Sequence, residues 1–473
     1  MSFFHLKTSQ AVGSISCTQN VSKSLKTIKD LEHLNVFLET HDEDAKIRAQ
    51  EIEGKINSNT EKSLAGMIIS IKDLLCHENH KVTGSSKILK GFTSTFSSTA
   101  VDRLLKNDGI IIGRTNCDEF GMGSSNENSA YGPTFNGLNT KKVPGGSSGA
   151  SAVSVQMDMA HVSLGTDTGG SVRQPAAFCG IYGLKPTYSR ISRHGLLAYA
   201  SSFDTIGIFS KSLEDNAAVL QAISGSDEFD STVSSRPVPD YLKEMTEIKS
   251  QYKLTYFPSM IESEGIAPDV KENFLKKIEL LKKEGHIVEP SEFEFSDYLL
   301  PTYYILTTAE ASSNLSRYDG MRYGHRSSKA DDILSLYKKS RSEGFGKEVK
   351  RRIFLGTFVL SASYYDAYYT KAQKVRRLLR DYTLNLFKSY DFIISPTTPT
   401  TAFNVGENTA DPIQMYLADL YTVHASVTGI PAISVPSGFG NDDMPIGFQI
   451  MGNDFEEGKI YAFSKYLQKL EKI

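Results

Sequence analysis

Short apolar runs rich in β-branched residues alternate with helix-like segments through the first half of this 473-residue chain. Residues 67–71 and 110–112 have the composition of strands that are buried on both faces, and residues 98–106 between them have the pattern of a short helix. The alternation continues to about residue 210. It predicts an α/β fold with a largely parallel sheet.

The segments outside this block indicate how the chain is organised. Apolar residues recur at every third position between residues 25 and 37, which predicts one amphipathic helix over residues 21–40, and residues 44–56 predict a second, more polar helix. Strand-like runs return after residue 391. We therefore predict an N-terminal helical segment (1–60) and one main domain (61–473), the latter with a core at 63–211, a more helical insertion or cap at about 225–346 and a C-terminal segment that completes the sheet.

The overall composition argues against a nucleic-acid-binding protein, a disulfide scaffold and a membrane protein. Lys and Arg number 52 against 55 Asp and Glu, so the net charge of −3 provides no large positive field to hold a nucleic acid. Four scattered cysteines fit a reducing compartment rather than a disulfide scaffold. No run reaches the ~18 apolar residues of a membrane span, and residues 1–12 lack the apolar core of a secretory signal. We expect a cytoplasmic protein that does not enter a membrane.

Two loops dense in glycine and hydroxyl residues, residues 144–151 and 165–173, lie between apolar segments of the buried type. Ser147 in the first loop and Ser171 in the second are 24 positions apart, with a helix-like and a strand-like segment between them. This spacing places both loops at the same edge of the predicted sheet, where α/β folds build their sites.

Three interpretations of these loops stay open at this point. Each loop alone fits a flexible link. The glycine N–H groups could cradle a phosphate, but neither the P-loop nor the dinucleotide-binding motif is present. Residues 145–149 match the nucleophile elbow of Ser-His-Asp enzymes, but His161, His194 and His424 lie in no context that singles one of them out.

A fourth interpretation makes Ser171 the nucleophile. Gly169 and Gly170 let a substrate approach the backbone closely, and N–H groups at the start of the following helix can hold a developing oxyanion, each good donor contributing ~3–4 kcal/mol. A serine hydroxyl also needs a base. Lys72, at the end of a predicted strand, can reach the same edge of the sheet, and it can act as a base if burial lowers its pKa from ~10.4 towards ~7.

In order and spacing, Lys72, Ser147 and Ser171 resemble the amidase signature family, and the match is dense over residues 66–207. The resemblance implies the α/β fold of that family, a large mixed, mainly parallel twisted sheet covered by helices on both faces, with residues 61–473 as the amidase signature domain. It also implies the Ser-cis-Ser-Lys triad of the family. In that triad Ser171 attacks the amide carbonyl as the acyl-ester nucleophile, Ser147 after a cis peptide bond relays the proton, and Lys72 is the base. The implied oxyanion hole consists of the backbone N–H groups of Thr168, Gly169, Gly170 and Ser171.

Farther along the chain, residues 309–315 and 341–357 resemble the glutamine-hydrolysing A subunits of glutamyl-/aspartyl-tRNA amidotransferases, a branch of the same family. Such proteins release ammonia from glutamine. Glutamine carries an α-carboxylate and an α-ammonium, so its site needs a cation and an anion. The resemblance implies that Arg352 binds the carboxylate, Asp419 binds the ammonium and Tyr303 makes a third substrate contact.

The same resemblance implies partners. Ammonia passes to a B subunit, which uses ATP and Mg²⁺ to amidate misacylated Glu-tRNA(Gln) or Asp-tRNA(Asn), and a small C subunit completes a heterotrimer. The chain itself needs no cofactor, and its lack of a phosphate-binding motif and of a basic surplus fits a partner that handles ATP and most of the tRNA. A stand-alone amidase that hydrolyses a small free amide is the alternative, whereas the intact Lys72, Ser147 and Ser171 disfavour an inactive scaffold.

Residues 76–80, Cys-His-Glu-Asn-His, combine two histidines with a thiol. They lack the His-Glu-x-x-His spacing of a zinc enzyme and a second cysteine pair. The amidase signature family does not use this motif either. We therefore expect no metal site in the chain.

Overall fold

The computed structural model describes residue 3 and residues 16–263, 265–407 and 418–471. Within these residues, one sheet of eleven strands has helices on both of its faces. The strands are β1 (Phe37–Thr40), β2 (Ile68–Lys72), β3 (Ile110–Thr115), β4 (Val162–Asp167), β5 (Tyr182–Lys185), β6 (Thr205–Ser210), β7 (Lys253–Tyr256), β8 (Ile287–Pro290), β9 (Phe392–Pro396), β10 (Ala432–Phe439) and β11 (Pro445–Met451).

Helices connect many of these strands in the described parts of the chain, and a run of helices separates β8 from β9. They are α1 (Cys17–Asp30), α2 (Asp42–Asn57), α3 (Thr99–Lys106), α4 (Gly149–Gln156), α5 (Arg173–Cys179), α6 (Leu213–Ile223), α7 (Tyr241–Glu244), α8 (Pro258–Ile261), α9 (Pro268–Lys283), α10 (Ser296–Asn314), α11 (Ile333–Gly344), α12 (Lys347–Val359), α13 (Lys371–Leu386), α14 (Val423–Thr428) and α15 (Glu457–Glu471). None of the described helices combines the length and the apolar character that a membrane crossing requires.

The sheet has the strand order β1-β3-β2-β4-β6-β5-β10-β11-β9-β7-β8. Strand β2 is parallel to β3 and β4, and β7 is parallel to β8 and β9. The other six neighbouring pairs are antiparallel. The α/β fold with a mixed sheet between helices is confirmed, but the expected predominance of parallel strands is corrected to four parallel pairs against six antiparallel ones.

Burial on both faces of the central strands explains this difference. Ile68 and Ile110 pack in one cluster with residues of α1, α2 and α4, whereas Ile69 and Ile111, one position later, belong to the cluster on the other face. A strand that is covered on both faces is apolar at nearly every position, whichever way its neighbours run. The apolar runs therefore indicated buried strands correctly but carried no information about strand direction.

The N-terminal region differs from the predicted pair of helices. Helix α1 ends at Asp30, and after a short 3-10 turn Asn35 adopts a left-handed backbone conformation with a φ of 52°. Strand β1 follows and pairs antiparallel with β3. The helix predicted over residues 21–40 is therefore wrong beyond Asp30, because asparagine tolerates the conformation that turns the chain here. The second predicted helix is confirmed as α2, and the division of the chain into domains stays a prediction.

The fold brings the serine loops and the predicted base to one edge of the sheet. Because β2 and β4 are parallel neighbours, their last residues, Lys72 and Asp167, lie at the same edge. Helix α4 packs against both strands and begins directly after Ser148, and α5 begins at Arg173 after the loop that follows β4. Helix α10 packs against α12 and α14, which places later parts of the chain together beside this edge.

Candidate active site

Lys72, the last residue of β2, is fully buried among hydroxyl groups. Its Nζ lies 2.7 Å from Ser147 Oγ, 2.9 Å from Ser148 Oγ and 2.8 Å from Thr166 Oγ1. Burial lowers the pKa of Lys72 to about 8, against a smaller opposing effect of nearby acidic groups. A usable fraction of this lysine is therefore neutral near pH 7, and its lone pair can accept a proton from a hydroxyl.

A second buried lysine shows why the surroundings of Lys72 matter. Lys185 in β5 is also fully buried, and burial lowers its pKa to about 7. Its Nζ, however, lies 2.8 Å from the carbonyl oxygen of Ile430 and 3.1 Å from that of Pro186. Carbonyl oxygens accept hydrogen bonds but have no proton to give. Of these two lysines, Lys72 is the one placed to act as a base toward a hydroxyl.

Ser147 follows a cis peptide bond from Gly146, as the family resemblance implied. The side chain of Gln174 in α5 holds this loop, because its Oε1 accepts the Gly146 N–H at 2.8 Å and its Nε2 donates to the Ser124 carbonyl at 2.8 Å. Gly146 also lies so close to the buried Asp118 carboxylate that a side chain in its place would collide with it. Buried polar groups thus fix the loop that directs Ser147 Oγ at the lysine.

Ser171 lies on the loop between β4 and α5, which a buried ion pair stabilises. Arg173 Nη2 lies 2.8 Å from Asp167 Oδ1, and the same carboxylate oxygen accepts the Gly170 N–H at 2.9 Å. Burial opposes a charged Asp167, but the Arg173 guanidinium holds the pKa of Asp167 below its usual range. The Ser148 N–H donates to the Ser171 carbonyl at 3.3 Å, so the two serine loops are adjacent.

The two glycines before Ser171 let neighbouring side chains approach the backbone of the loop closely. A side chain on Gly169 would collide with the Tyr303 hydroxyl, and one on Gly170, whose φ is 133°, would collide with Thr422. Among the predicted oxyanion donors, the Gly170 N–H is directed to the Asp167 carboxylate. This leaves Thr168, Gly169 and Ser171 as the candidate donors. The structure joins Lys72 to Ser147 directly and places the Ser171 loop beside them, an arrangement that in free enzymes often tightens when substrate binds.

Tyr303, Arg352 and Asp419, the three implied substrate contacts, lie together next to the Ser171 loop. The rings of Tyr303 and Tyr304 in α10 have centres 4.9 Å apart, and the Tyr303 hydroxyl packs against Gly169. The Arg352 guanidinium lies 5.6 Å from the centre of the Tyr304 ring, and the Tyr304 hydroxyl donates to Asp419 Oδ2 at 3.1 Å. The fold thus gathers a cation, an anion and two aromatic rings in one place.

Arg352 in α12 is buried and firmly held. Its Nε donates to Glu348 Oε1 at 2.9 Å, its Nη1 donates to the Tyr199 hydroxyl at 2.8 Å, and the guanidinium lies 5.5 Å from the centre of the Tyr199 ring. Burial opposes the charge, but Tyr199 and Glu348 raise the pKa of Arg352 above its already high value. The residue is therefore a fixed cation with the planar geometry that suits a carboxylate.

Asp419 is a buried carboxyl group placed to bind a cation. Its two oxygens each lie 3.0 Å from Ser124 Oγ, and burial raises its pKa to about 7 in spite of that hydrogen bond and of Arg352. Thr422, in the next turn, donates to the Gly169 carbonyl at 2.6 Å, which ties this segment to the Ser171 loop. Residues 415–417, which come shortly before Asp419 in the chain, lie outside the described residues.

Sequence reasoning missed several members of the site. Ser148 and Thr166 complete the hydroxyl shell of Lys72, and their signal was only that they lie in or beside the conspicuous loops. Ser124 and Tyr304 hold Asp419 but belong to segments far from it in the chain. Because no spacing rule links such segments, only the folded arrangement reveals them.

Comparisons with known proteins show the family to which the chain is related. The family model described as Amidase matches residues 19–460. The A subunit of the glutamyl-tRNA(Gln) amidotransferase of Chlorobium luteolum is 48% identical over 457 residues, which cover 96% of this chain and 94% of the relative. The protein of the same name from Bacillus velezensis is 47% identical, with 94% and 92% covered.

A solved structure of a protein with the same name as these relatives also matches this chain. The crystal structure of the glutamyl-tRNA(Gln) amidotransferase A subunit from Thermotoga maritima has a TM-score of 0.80 and 37% identity, covering 96% of this chain and 91% of that chain. The match extends over almost the whole chain rather than over the serine loops alone. The resemblances that the motifs indicated are therefore confirmed.

Proposed function

The chain belongs to the amidase family, and we propose that it is the glutamine-hydrolysing component of a tRNA-dependent amidotransferase. The observation that carries the proposal is that the buried contact of Lys72 with Ser147 lies in the same site as a fixed cation, Arg352, and a buried carboxyl group, Asp419. Hydrolysis of a simple amide needs only the first of these features. Glutamine also presents an α-carboxylate and an α-ammonium, which the other two match.

The names of the relatives support the same assignment. Proteins that are 48%, 47% and 37% identical to this chain over nearly its full length are each called the A subunit of a glutamyl-tRNA(Gln) amidotransferase. A protein with such a name acts within an assembly. We therefore extend the proposal to a heterotrimer with a B subunit, which uses ATP and Mg²⁺ to amidate Glu-tRNA(Gln) or Asp-tRNA(Asn), and a small C subunit.

In the proposed reaction, Ser171 Oγ attacks the side-chain carboxamide carbon of glutamine. The Ser171 proton passes to Ser147 as the Ser147 proton passes to neutral Lys72, so that Lys72 becomes an ammonium. The former carbonyl oxygen becomes an oxyanion, which the N–H groups of the Ser171 loop stabilise by ~3–4 kcal/mol for each well-placed donor. Lys72 then returns its proton through Ser147 to the departing nitrogen, the C–N bond breaks, and ammonia leaves a γ-glutamyl ester on Ser171.

The second half of the reaction uses the same groups in reverse. A water molecule takes the place of ammonia and gives a proton through Ser147 to Lys72 as its oxygen attacks the ester carbon. The resulting intermediate breaks down when the proton returns to Ser171 Oγ. The products are glutamate and the free enzyme, so each turnover consumes one water and releases one ammonia.

Substrate orientation follows from the charged groups. In the proposed complex, the α-carboxylate of glutamine pairs with Arg352 and the α-ammonium pairs with Asp419, while the side chain extends past Tyr303 towards Gly169. Tyr303 already packs on Gly169, and Thr422, close to Asp419, bonds to the Gly169 carbonyl. Binding of the two α-substituents therefore sets the distance between the carboxamide and the Ser171 loop.

We expect the isolated chain to be a poor glutaminase that gains activity in its assembly. The measurement is ammonia release from glutamine by the purified chain, by the complex recovered with the tagged chain from native extract, and by that complex with ATP and acceptor tRNA. A rise of about tenfold or more on assembly supports the proposal. Equal turnover of varied simple amides by the isolated chain, with no gain from partners, points to a stand-alone amidase instead.

A diazoketone analogue of glutamine is expected to label Ser171 covalently. The analogue replaces the carboxamide by a group that alkylates the attacking nucleophile, so peptide mass spectrometry identifies that residue. The label should be lost in Ser171→Ala, and excess glutamine should protect against it. An adduct on Ser147 in the unsubstituted protein would contradict the assigned roles and favour a nucleophile elbow.

A further inference from the structure

Three histidines from two separate parts of the chain meet beside the edge strand β1. His41 lies at the junction of β1 with α2, and His77 and His80 lie on the loop that follows β2. Their nearest ring nitrogens all lie within 4.8 Å of one another. The ring centres are 3.9 Å apart for His41 and His80 and 4.0 Å apart for His77 and His80.

The imidazole ring of the buried member of this cluster has no hydrogen-bond partner among the described residues. His41 is 5% exposed, and neither of its ring nitrogens is paired; the same holds for His77 Nδ1. A buried imidazole normally donates through one nitrogen and accepts through the other. Ring nitrogens that are buried without a partner are available to bind a metal ion.

His80 adds a carboxylate to the cluster. Its Nδ1 lies 2.8 Å from the carbonyl oxygen of Glu78, which can only accept, so Nδ1 is placed to donate. Its Nε2 lies 2.8 Å from Asp44 Oδ2, which brings a carboxylate oxygen beside the ring. Donation from Nδ1 to a backbone carbonyl is the usual way to orient a histidine whose Nε2 binds a metal.

We propose that His41, His77 and His80, with Asp44 as the fourth ligand, form a binding site for a divalent transition metal ion such as Zn²⁺. Three imidazoles and a carboxylate are a suitable donor set for Zn²⁺, Co²⁺ or Ni²⁺ and a poor one for Mg²⁺ or Ca²⁺. A tetrahedral ion with ligands at about 2.0–2.1 Å holds its nitrogens about 3.3 Å apart, and each imidazole binds it in the plane of the ring. The His77 and His80 rings are stacked at an interplanar angle of 5°, so one of them must turn about its side-chain torsions when the ion binds. The site was not expected from residues 76–80 alone, because His41 comes from a distant segment.

The position of the site gives the metal a structural role. It joins the β1–α2 junction to the loop that begins directly after Lys72, across the edge of the sheet. The bound ion therefore fastens the N-terminal segment to the part of the chain that carries the base. No reacting group of the active site is a ligand, so the metal acts on the stability of the fold rather than on the chemistry.

The test uses the purified, tag-free full chain after chelator treatment and dialysis. Titration with Co²⁺ should give one equivalent of bound metal with the strong visible absorption of a tetrahedral site, and Zn²⁺ should displace it and raise the midpoint of thermal unfolding. His77→Ala and His80→Ala should each weaken binding by at least about 100-fold and abolish the thermal shift. The control His33→Ala removes an exposed histidine of the same N-terminal region and should change neither result.

Two outcomes would overturn the proposal. One is the absence of stoichiometric Co²⁺ and Zn²⁺ binding to the chelator-treated chain. The other is metal binding that survives both His77→Ala and His80→Ala, which would place the ion elsewhere. His77 and His80 are partly exposed, so these variants avoid the packing defect that a change of buried His41 would cause.

Discussion

Replacement of Lys72 by methionine is expected to lower the rate of glutamine hydrolysis by about 10³-fold or more, because a positioned general base contributes roughly 10²–10⁴-fold and no other base contacts Ser147 among the described residues. The fold should survive. The lowered pKa means that burying the lysine costs about 3 kcal/mol of stability near neutral pH. The variant no longer carries this cost, which offsets the loss of the lysine's hydrogen bonds to Ser147, Ser148 and Thr166. The measurements are ammonia release by the assembled enzyme and the free energy of unfolding.

The pH profile gives a second readout of the same prediction. A base must be neutral to accept a proton, and the pKa of Lys72 is about 8. Turnover in the unsubstituted enzyme should therefore rise as the pH increases through about 8 and level off above it. The residual activity of Lys72→Met should lack this rise.

Lys185→Met is the matched control. Both lysines are fully buried and have lowered pKa values, but Lys185 contacts carbonyl oxygens instead of hydroxyls. Its loss removes the donor from two carbonyls, which costs roughly 1–3 kcal/mol of stability each, but it also removes the cost of burying a lysine whose pKa is lowered to about 7. As with Lys72→Met, these two effects oppose each other, so we expect a folded protein with turnover per folded molecule retained within about tenfold. If the Lys185 variant instead loses activity as completely as the Lys72 variant, the assignment of the base is wrong.

Asp419→Asn is expected to raise KM for glutamine by about 100-fold with a much smaller change in kcat, because a buried charge pair with a substrate is worth roughly 2–5 kcal/mol. The amide keeps the size of the carboxyl group but cannot pair with the α-ammonium. The decisive comparison uses glutaramate, which is glutamine without its α-amino group. The preference of kcat/KM for glutamine over glutaramate should fall towards unity in the variant.

The pKa of Asp419 predicts the direction in which the affinity for glutamine changes with pH. Burial raises that pKa to about 7, whereas the bound ammonium favours the carboxylate. The apparent affinity for glutamine should therefore fall as the pH decreases below about 7, and the fall should be absent in Asp419→Asn. Ser124→Ala removes a hydrogen bond to the carboxylate but keeps its charge, so it should give an intermediate loss. A preference for glutamine that is unchanged in Asp419→Asn would rule out this contact.

The sequence predicted much of the fold around the site. Runs such as residues 67–71 and 110–112 identified buried strands, because a strand covered on both faces is apolar at nearly every position. Strand direction could not be predicted from them, since parallel and antiparallel strands bury the same side chains. The prediction of a helix over residues 21–40 was wrong where Asn35 turns the chain into an edge strand. The spacing of apolar residues does not indicate such a local backbone conformation.

The sequence predicted the parts of the candidate site that lie in compact motifs, but not the contacts between distant segments. Lys72, Ser147 and Ser171 lie in compact motifs, and the structure places their loops at one edge of the sheet. Contacts between distant segments were not predictable in this way. Ser124 and Tyr304, which hold Asp419, lie 295 and 115 residues from it in the chain. The bond of the Gly170 N–H to Asp167 removes one expected oxyanion donor; it is local, but a motif gives residue types and not the acceptor to which a backbone N–H is directed.

The reacting groups and the groups that would select the substrate come from different parts of the sheet and its helices. Lys72, Ser147 and Ser171 belong to β2, the turn before α4 and the turn before α5, whereas Tyr303 and Arg352 project from α10 and α12. Under the proposed roles, different segments of the chain supply the chemistry and the substrate specificity, and the two sets meet at Gly169 through Tyr303 and Thr422. A change of amide substrate would then require substitutions in α10 and α12 that preserve these contacts with the Ser171 loop.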